Sequence, residues 1–271
     1  MLKLLLLQIL AVNNSSSIAA TRYESVTQSS GSMPQAVMTS RTQGTYTGDR
    51  MRMDFLDRSG PAMGGMQAGS YMITDGTHFY VVDSAKREFY EFDIAKTQAA
   101  ASSMLKQIPG MQMKFSKFKF NAEDLGEGET ILGHATRHWR VTGSIAVTSL
   151  VGGDTVAITV ETVGDHFFAK DLDTPRSQLA SNDSLALIQF GDMIPQADAA
   201  NMRTAYARMP HTLDLRSENK VTSYFGPMDM AVTTTTRITR IETVNVDASF
   251  FTVPQGYKKV EMPSLASPHV M

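Results

Sequence analysis

Six histidines and several neighbouring carboxylates are the residues of this chain whose types could carry chemistry. His134 and His138 have the i, i+4 spacing that places two zinc ligands on one face of a helix. Their surroundings, 129–142, read instead as a strand, and four residues of strand hold two side chains roughly 13 Å apart. Two groups that far apart cannot share an ion, and no glutamate follows His134 as a zinc protease requires. No metal site is expected. Asp165, His166 and His211 could serve a serine nucleophile, but the chain holds no Gly-x-Ser-x-Gly elbow. The glycine-rich stretch 60–69 lacks the Gly-Lys-Ser/Thr ending of a phosphate loop. Glu123, Asp124, Glu127 and Glu129 lie in a polar turn, where solvation accounts for them. Lys114, Lys117 and Lys119 stand among Phe115, Phe118 and Phe120, a pattern that suits a nucleic-acid platform. A net charge of −2 favours a strand with one wet side over a nucleic-acid partner. No catalytic constellation and no cofactor is expected, so the chain does not read as an enzyme.

The N-terminus carries a different message. Lys3 precedes nine apolar residues, 4–12, and small residues follow across 13–20. That is the layout of a secretory signal peptide, cleaved after Ser17-Ile18-Ala19 or Ile18-Ala19-Ala20. Nine apolar residues fall short of the ~20 a membrane span needs. The expectation is a signal peptide over 1–20 and a single domain over 21–271, with no transmembrane segment in the mature chain. With no cysteine there is no disulfide and no thiolate site, which in an exported protein fits a bacterial periplasm or secretion. Methionine is abundant at 18 residues and recurs in close pairs such as Met51 and Met53, suiting a surface that accepts varied apolar partners.

Short alternating segments rich in aromatic and β-branched residues dominate the rest. Segment 70–93 reads as an antiparallel meander, with a two-residue hairpin at Asp75-Gly76 and a turn at 83–86. Segment 44–56 alternates as one half-buried strand. In 111–120 the apolar phase changes, which predicts a bulge near Ser116-Lys117. Strands are expected over 129–142, 155–163, 213–224, 228–240 and 241–246, and a turn over 253–256. Helical segments are expected near 94–108 and 167–210; within the latter, Met202, Ala205, Tyr206 and Met209 recur at helical spacing. The class is α+β, mainly β.

Four stretches carry a resemblance to a known family: 48–55, 73–92, 129–134 and the ending 247–260. Through them the chain resembles the LolA/LolB-like superfamily of periplasmic lipoprotein carriers, in an uncharacterised secreted branch. The resemblance implies a strongly curved antiparallel sheet, a half-open barrel, with helices covering its concave face. It also implies binding of lipid or lipidated peptide in that concavity.

Strand phase and side-chain type select Met51, Met53, Phe55, Met72, Phe79, Val81, Met113, Phe115 and Trp139 as candidate lining residues. The expected function is an envelope protein holding an apolar ligand such as a lipid, acyl chain or lipidated peptide. The alternative is an interaction or sensing module of the same fold, with a filled cavity and another envelope protein as partner.

Overall fold

The computed structural model describes residues 17–32, 37–59, 68–76, 78–92, 112–151, 154–175, 196–226 and 228–261. These residues are mainly β, forming one sheet of twelve strands with one α-helix. The first half of the chain supplies β1 (Ser17–Gly31), β2 (Met38–Thr47), β3 (Arg50–Ser59), β4 (Ser70–Thr74), β5 (Phe79–Asp83) and β6 (Glu88–Phe92). The second half supplies β7 (Gln112–Ile131), β8 (His134–Val151), β9 (Asp154–Asp173), α1 (Gln196–Tyr206), β10 (Thr212–Phe225) and β11 (Met228–Asp247). A 3-10 turn at Ala248–Phe251 and a short β12 (Lys258–Lys259) end the described chain.

The strand order is β12-β6-β5-β4-β3-β2-β1-β11-β10-β9-β8-β7. Each half is a meander, and the pairing of β1 with β11 joins the two. Every pairing is antiparallel except that of β12 on β6. The sheet is not closed; β7 and β12 are its edges among the described residues.

Turn chemistry sets the registers, and it departs from the sequence reading in several places. Segment 44–56 is two strands, because Gly48, at φ 54°, reverses the chain between β2 and β3. Segment 129–142 is also divided: Leu132 and Gly133 take φ 51° and 85°, the pair of positive values a two-residue type I′ hairpin needs. The Asp75-Gly76 connection is longer than two residues, since β5 resumes only at Phe79 and Asp75 Oδ1 accepts the His78 N–H at 2.8 Å. Asp83 closes the next turn as expected, accepting the N–H groups of Ala85 and Lys86 at 3.0 and 3.1 Å. The expected bulge is present: the β7–β8 register shifts between Ser116 and Lys119, with Lys117 at φ 53°.

Residues 167–173 are strand rather than helix, because β9 runs to Asp173 in register with β8 and β10. The helical expectation in this stretch narrows to α1, whose Ala199, Met202 and Ala205 are buried. The expected helix at 94–108 lies outside the described residues. The two strands expected over 228–246 are one continuous β11. At the N-terminus, β1 already begins at Ser17, and Ala20 is buried against Val246 and its neighbours. The small residues read as a cleavage region are therefore part of the sheet, pairing with residues 244–247.

Candidate functional site

Residues directly opposite each other in an antiparallel pair point to the same side of a sheet, so the registers divide the residues between two faces. Met51 pairs with Thr74, Met53 with Met72, Met72 with Val81 and Thr74 with Phe79. Five of the candidate lining residues thus share one face of β3–β5, and Phe55 follows them by alternation along β3. Tracing across, Met53 pairs with Gly44 and Gly44 with Tyr23. Two strand steps on along β1, Thr27 meets Thr236, then Ser217, His166 and finally Trp139. Trp139 is on the same face, and there α1 and the turn after it pack: Ala205, Tyr206 and Met209 meet Ala122, Trp139, Val141 and Phe168. This is called the helix face below.

Not every candidate is open. Met51 and Val81 are buried, and Met51 joins a core cluster with Tyr23, Tyr46, Leu213, Leu215 and Ile238. Met53 packs against that cluster, while Phe55, Met72 and Phe79 are half-buried. Met113 and Phe115 stand opposite Ser149 and Val147 on β8, but their side chains lie outside the described ones.

The two faces differ sharply in charge. Alternate positions 21–29 of β1, 217–225 of β10 and 228–236 of β11 face the helix side, and none is Asp, Glu, Lys or Arg. The charges on this face lie nearer α1: Asp214 opposite Phe168, where the β9–β10 register shifts, and the Asp124–Arg137 pair, opposite Trp139 and Phe168. Cross-strand hydroxyl pairs link six of its polar residues, with Ser25–Thr42 at 2.6 Å, Thr27–Thr236 at 3.0 Å and Ser29–Thr234 at 2.9 Å. The opposite face carries ion pairs instead. Arg240 meets Glu242 at 2.7 Å, and Arg140 meets Asp165 at 2.9 Å. His138 Nε2 also reaches Asp165, at 2.8 Å, and its ring stacks on Phe167, which Arg216 covers from 4.1 Å. Burial pushes the Asp165 carboxyl up, but hydrogen bonds from His138 and Arg140 outweigh it and hold the group below the ordinary carboxylate range.

Four of the described histidines, His78, His134, His138 and His166, pair with aspartates: His134 with Asp171 at 2.9 Å and His78 with Asp75 at 3.2 Å. His134 and His138 serve different carboxylates, and no cluster of three metal-binding side chains occurs among the described residues. Sequence reasoning paired Asp165 with His166; in the structure the partner of His166 is Asp214, with Nδ1 and Oδ2 2.7 Å apart. Those two residues are 48 positions apart and meet where the β9–β10 register shifts, so no local spacing announced them.

Part of the helix face is uncovered. Val156, Val221 and Met228 are exposed at 39%, 38% and 67%, at the end of β9–β11 farthest from α1. Near the other end, burial pushes the Tyr46 phenol up, and the Asp173 carboxylate raises it further.

No family model matches this chain, and no curated protein matches it. A crystal structure of an uncharacterized conserved protein from Thermus thermophilus overlaps 89% of this chain and 90% of that one. At a TM-score of 0.39 and 7% identity, that likeness carries no argument about fold or function. No helix among the described residues is long and apolar enough to cross a membrane.

Proposed function

We propose that this protein binds an apolar ligand, a lipid, acyl chain or lipidated peptide, on the helix face of its sheet in the bacterial envelope. The observation that carries this reading is the charge asymmetry of the sheet: one face is laced with ion pairs, while the other has no charge along residues 21–29 of β1, 217–225 of β10 and 228–236 of β11 and is open toward Val156, Val221 and Met228. A face exposed to water alone would gain nothing from excluding charge, whereas an apolar ligand would have to desolvate every charge it covered.

A half-open barrel fits this reading. In a flat sheet, β2 and β9 would stand four strand spacings, roughly 19 Å, apart. That Asp173 on β9 acts on the Tyr46 phenol of β2 supports a sheet curled toward its helix face. Helix α1 would then lie in the concavity. Its exposed residues are polar (Gln196, Asn201, Arg203 and Thr204) or small (Ala197 and Ala200), so this helix offers a cover rather than a surface for docking another protein. Export rests on the leader-like N-terminus of the sequence.

Native mass spectrometry of protein purified from the periplasm, followed by lipid extraction, tests the reading. Co-purified lipid or acylated peptide is the expected result. A ligand-free mass, together with Trp139 fluorescence unchanged on titration with fatty acids, would sink it.

A further inference from the structure

Trp139 and His166 stand directly opposite each other on β8 and β9, so their Cβ atoms are roughly 5 Å apart. Trp139 is 8% exposed, and its indole Nε1 is buried with no hydrogen-bond partner. A buried N–H left without an acceptor costs about 1–3 kcal/mol, and folded proteins retain few of them. The imidazole beside it is held firmly. Nδ1–H of His166 donates to Asp214 Oδ2 at 2.7 Å, and Asp214 Oδ1 accepts the Phe167 N–H at 3.2 Å. The ring also lies nearly parallel to Phe168, at 12° and 5.8 Å. In the next row Gly164 lacks a side chain, and His166 Nε2 and Asn219 Oδ1 take its place, 3.0 and 2.1 Å from where a Cβ would be. His166 and Asn219 thus bring polar atoms into the two rows of the sheet that hold Trp139 and Gly164.

We infer that Trp139, His166 and Asn219 anchor the uncharged, oxygen-bearing head group of an acyl-chain ligand, an ester, amide or hydroxyl, an assignment that rests on the ligand-binding reading above. The head must accept a hydrogen bond, because the indole can only donate. It must also be neutral. The Asp214 carboxylate stands behind the imidazole, and Arg137, two residues along β8 on the same face, is already paired with Asp124, at 2.8 Å, and so does not offset an anion. The tail has an apolar path away from the anchor, over Ile145 and Val160, then Val147 and Ile158, which pair row by row toward exposed Val156.

Trp139 is the sole tryptophan, so its indole gives one N–H resonance that needs no assignment. The intact protein would be titrated with 1-monodecanoylglycerol, decanoate and decane, following that resonance and the dissociation constant. The glycerol ester is expected to move the indole N–H downfield and to bind about tenfold more tightly than the other two, the effect of one hydrogen bond. Trp139→Phe should bring the three affinities together. If the ester binds without moving the resonance, or all three probes bind the wild type alike, the anchor is wrong while ligand binding stands. Should none of the three bind, the ligand reading itself fails and the anchor with it. The wild-type resonance decides the matter even if Trp139→Phe does not fold.

Discussion

The Tyr23 ring fills the space that a side chain at Gly44 would need: Cζ of Tyr23 is 2.2 Å from the position of a Gly44 Cβ. The two residues are direct partners across β1 and β2, and Tyr23 is among the most buried residues of the central core cluster. A glycine within a strand is here the complement of an aromatic ring lying across it. Gly44→Ala should therefore cost about 2 kcal/mol in urea unfolding, because the whole ring has to move. In a Tyr23→Ala background the same change should cost almost nothing. Equal costs in both backgrounds would show that the ring and the glycine are not coupled.

Arg52 makes a second such test. Its guanidinium lies 3.7 Å from the Tyr71 ring centroid and 4.5 Å from that of Phe250, and it donates through Nε and Nη2 to Asp54, with Nη2 at 2.7 Å from Oδ1. This ties the segment after β11 onto β3. Arg52→Lys keeps the charge but loses the planar stack and the two-pronged hydrogen bonding. We expect a loss of about 1–2 kcal/mol by chemical denaturation, and the opposite result, no loss at all, would reduce the stack to a surface contact.

The pairing of Asp165 with His138 and Arg140 gives a pH dependence of known sign. The folded carboxyl titrates below its ordinary range, so the stabilisation is complete above about pH 4 and disappears as pH falls through the folded value. Asp165→Asn should be less stable than wild type by about 1 kcal/mol at neutral pH, a modest figure because the pair is partly screened by solvent. Unfolding curves of the two proteins should converge below pH 4. A gap that stays constant as pH falls through the folded carboxyl's titration would assign the loss to packing.

The start of β1 can be tested by truncation. Ile18 and Ala20 pack in the cluster that holds Ile73, Val82 and Phe251, and residues 17–20 pair with β11. A chain beginning at Thr21 should be less stable than one beginning at Ser17 by about 2–3 kcal/mol, read from thermal or urea unfolding. N-terminal sequencing of exported protein is expected to find processing no later than Ser17; a mature start at Thr21 with undiminished stability would contradict the role of these four residues.

Strand phase made much of the sheet legible. The apolar residues of 111–120 fall in two registers, and a strand can do that only by inserting an extra residue, as it does at Ser116–Lys119. Met51, Met53, Met72, Phe79 and Val81 were placed on a common face by the same periodicity. The hairpins at Gly48 and Leu132-Gly133 escaped because each shows in the pattern only as a shift of phase by one, Thr47 pairing with Arg50 and Ile131 with His134, and the polar residues beside the turns do not mark that shift. The His166–Asp214 contact was invisible for a different reason: it depends on register shifts between β9 and β10, which only the folded pairing determines.

Strand β7 is twenty residues long and stands at the edge of the sheet among the described residues, yet its register with β8 shifts three times: at Ser116/Lys119, Asp124/Gly126 and Glu127/Thr130. A straight strand from another molecule could hydrogen-bond to only a few consecutive residues before meeting a break, with Lys117 and Lys119 charged at the first. The bulges thus do more than bend the strand. They deprive a long exposed edge of the regular spacing that would let copies of this protein template one another into fibrils.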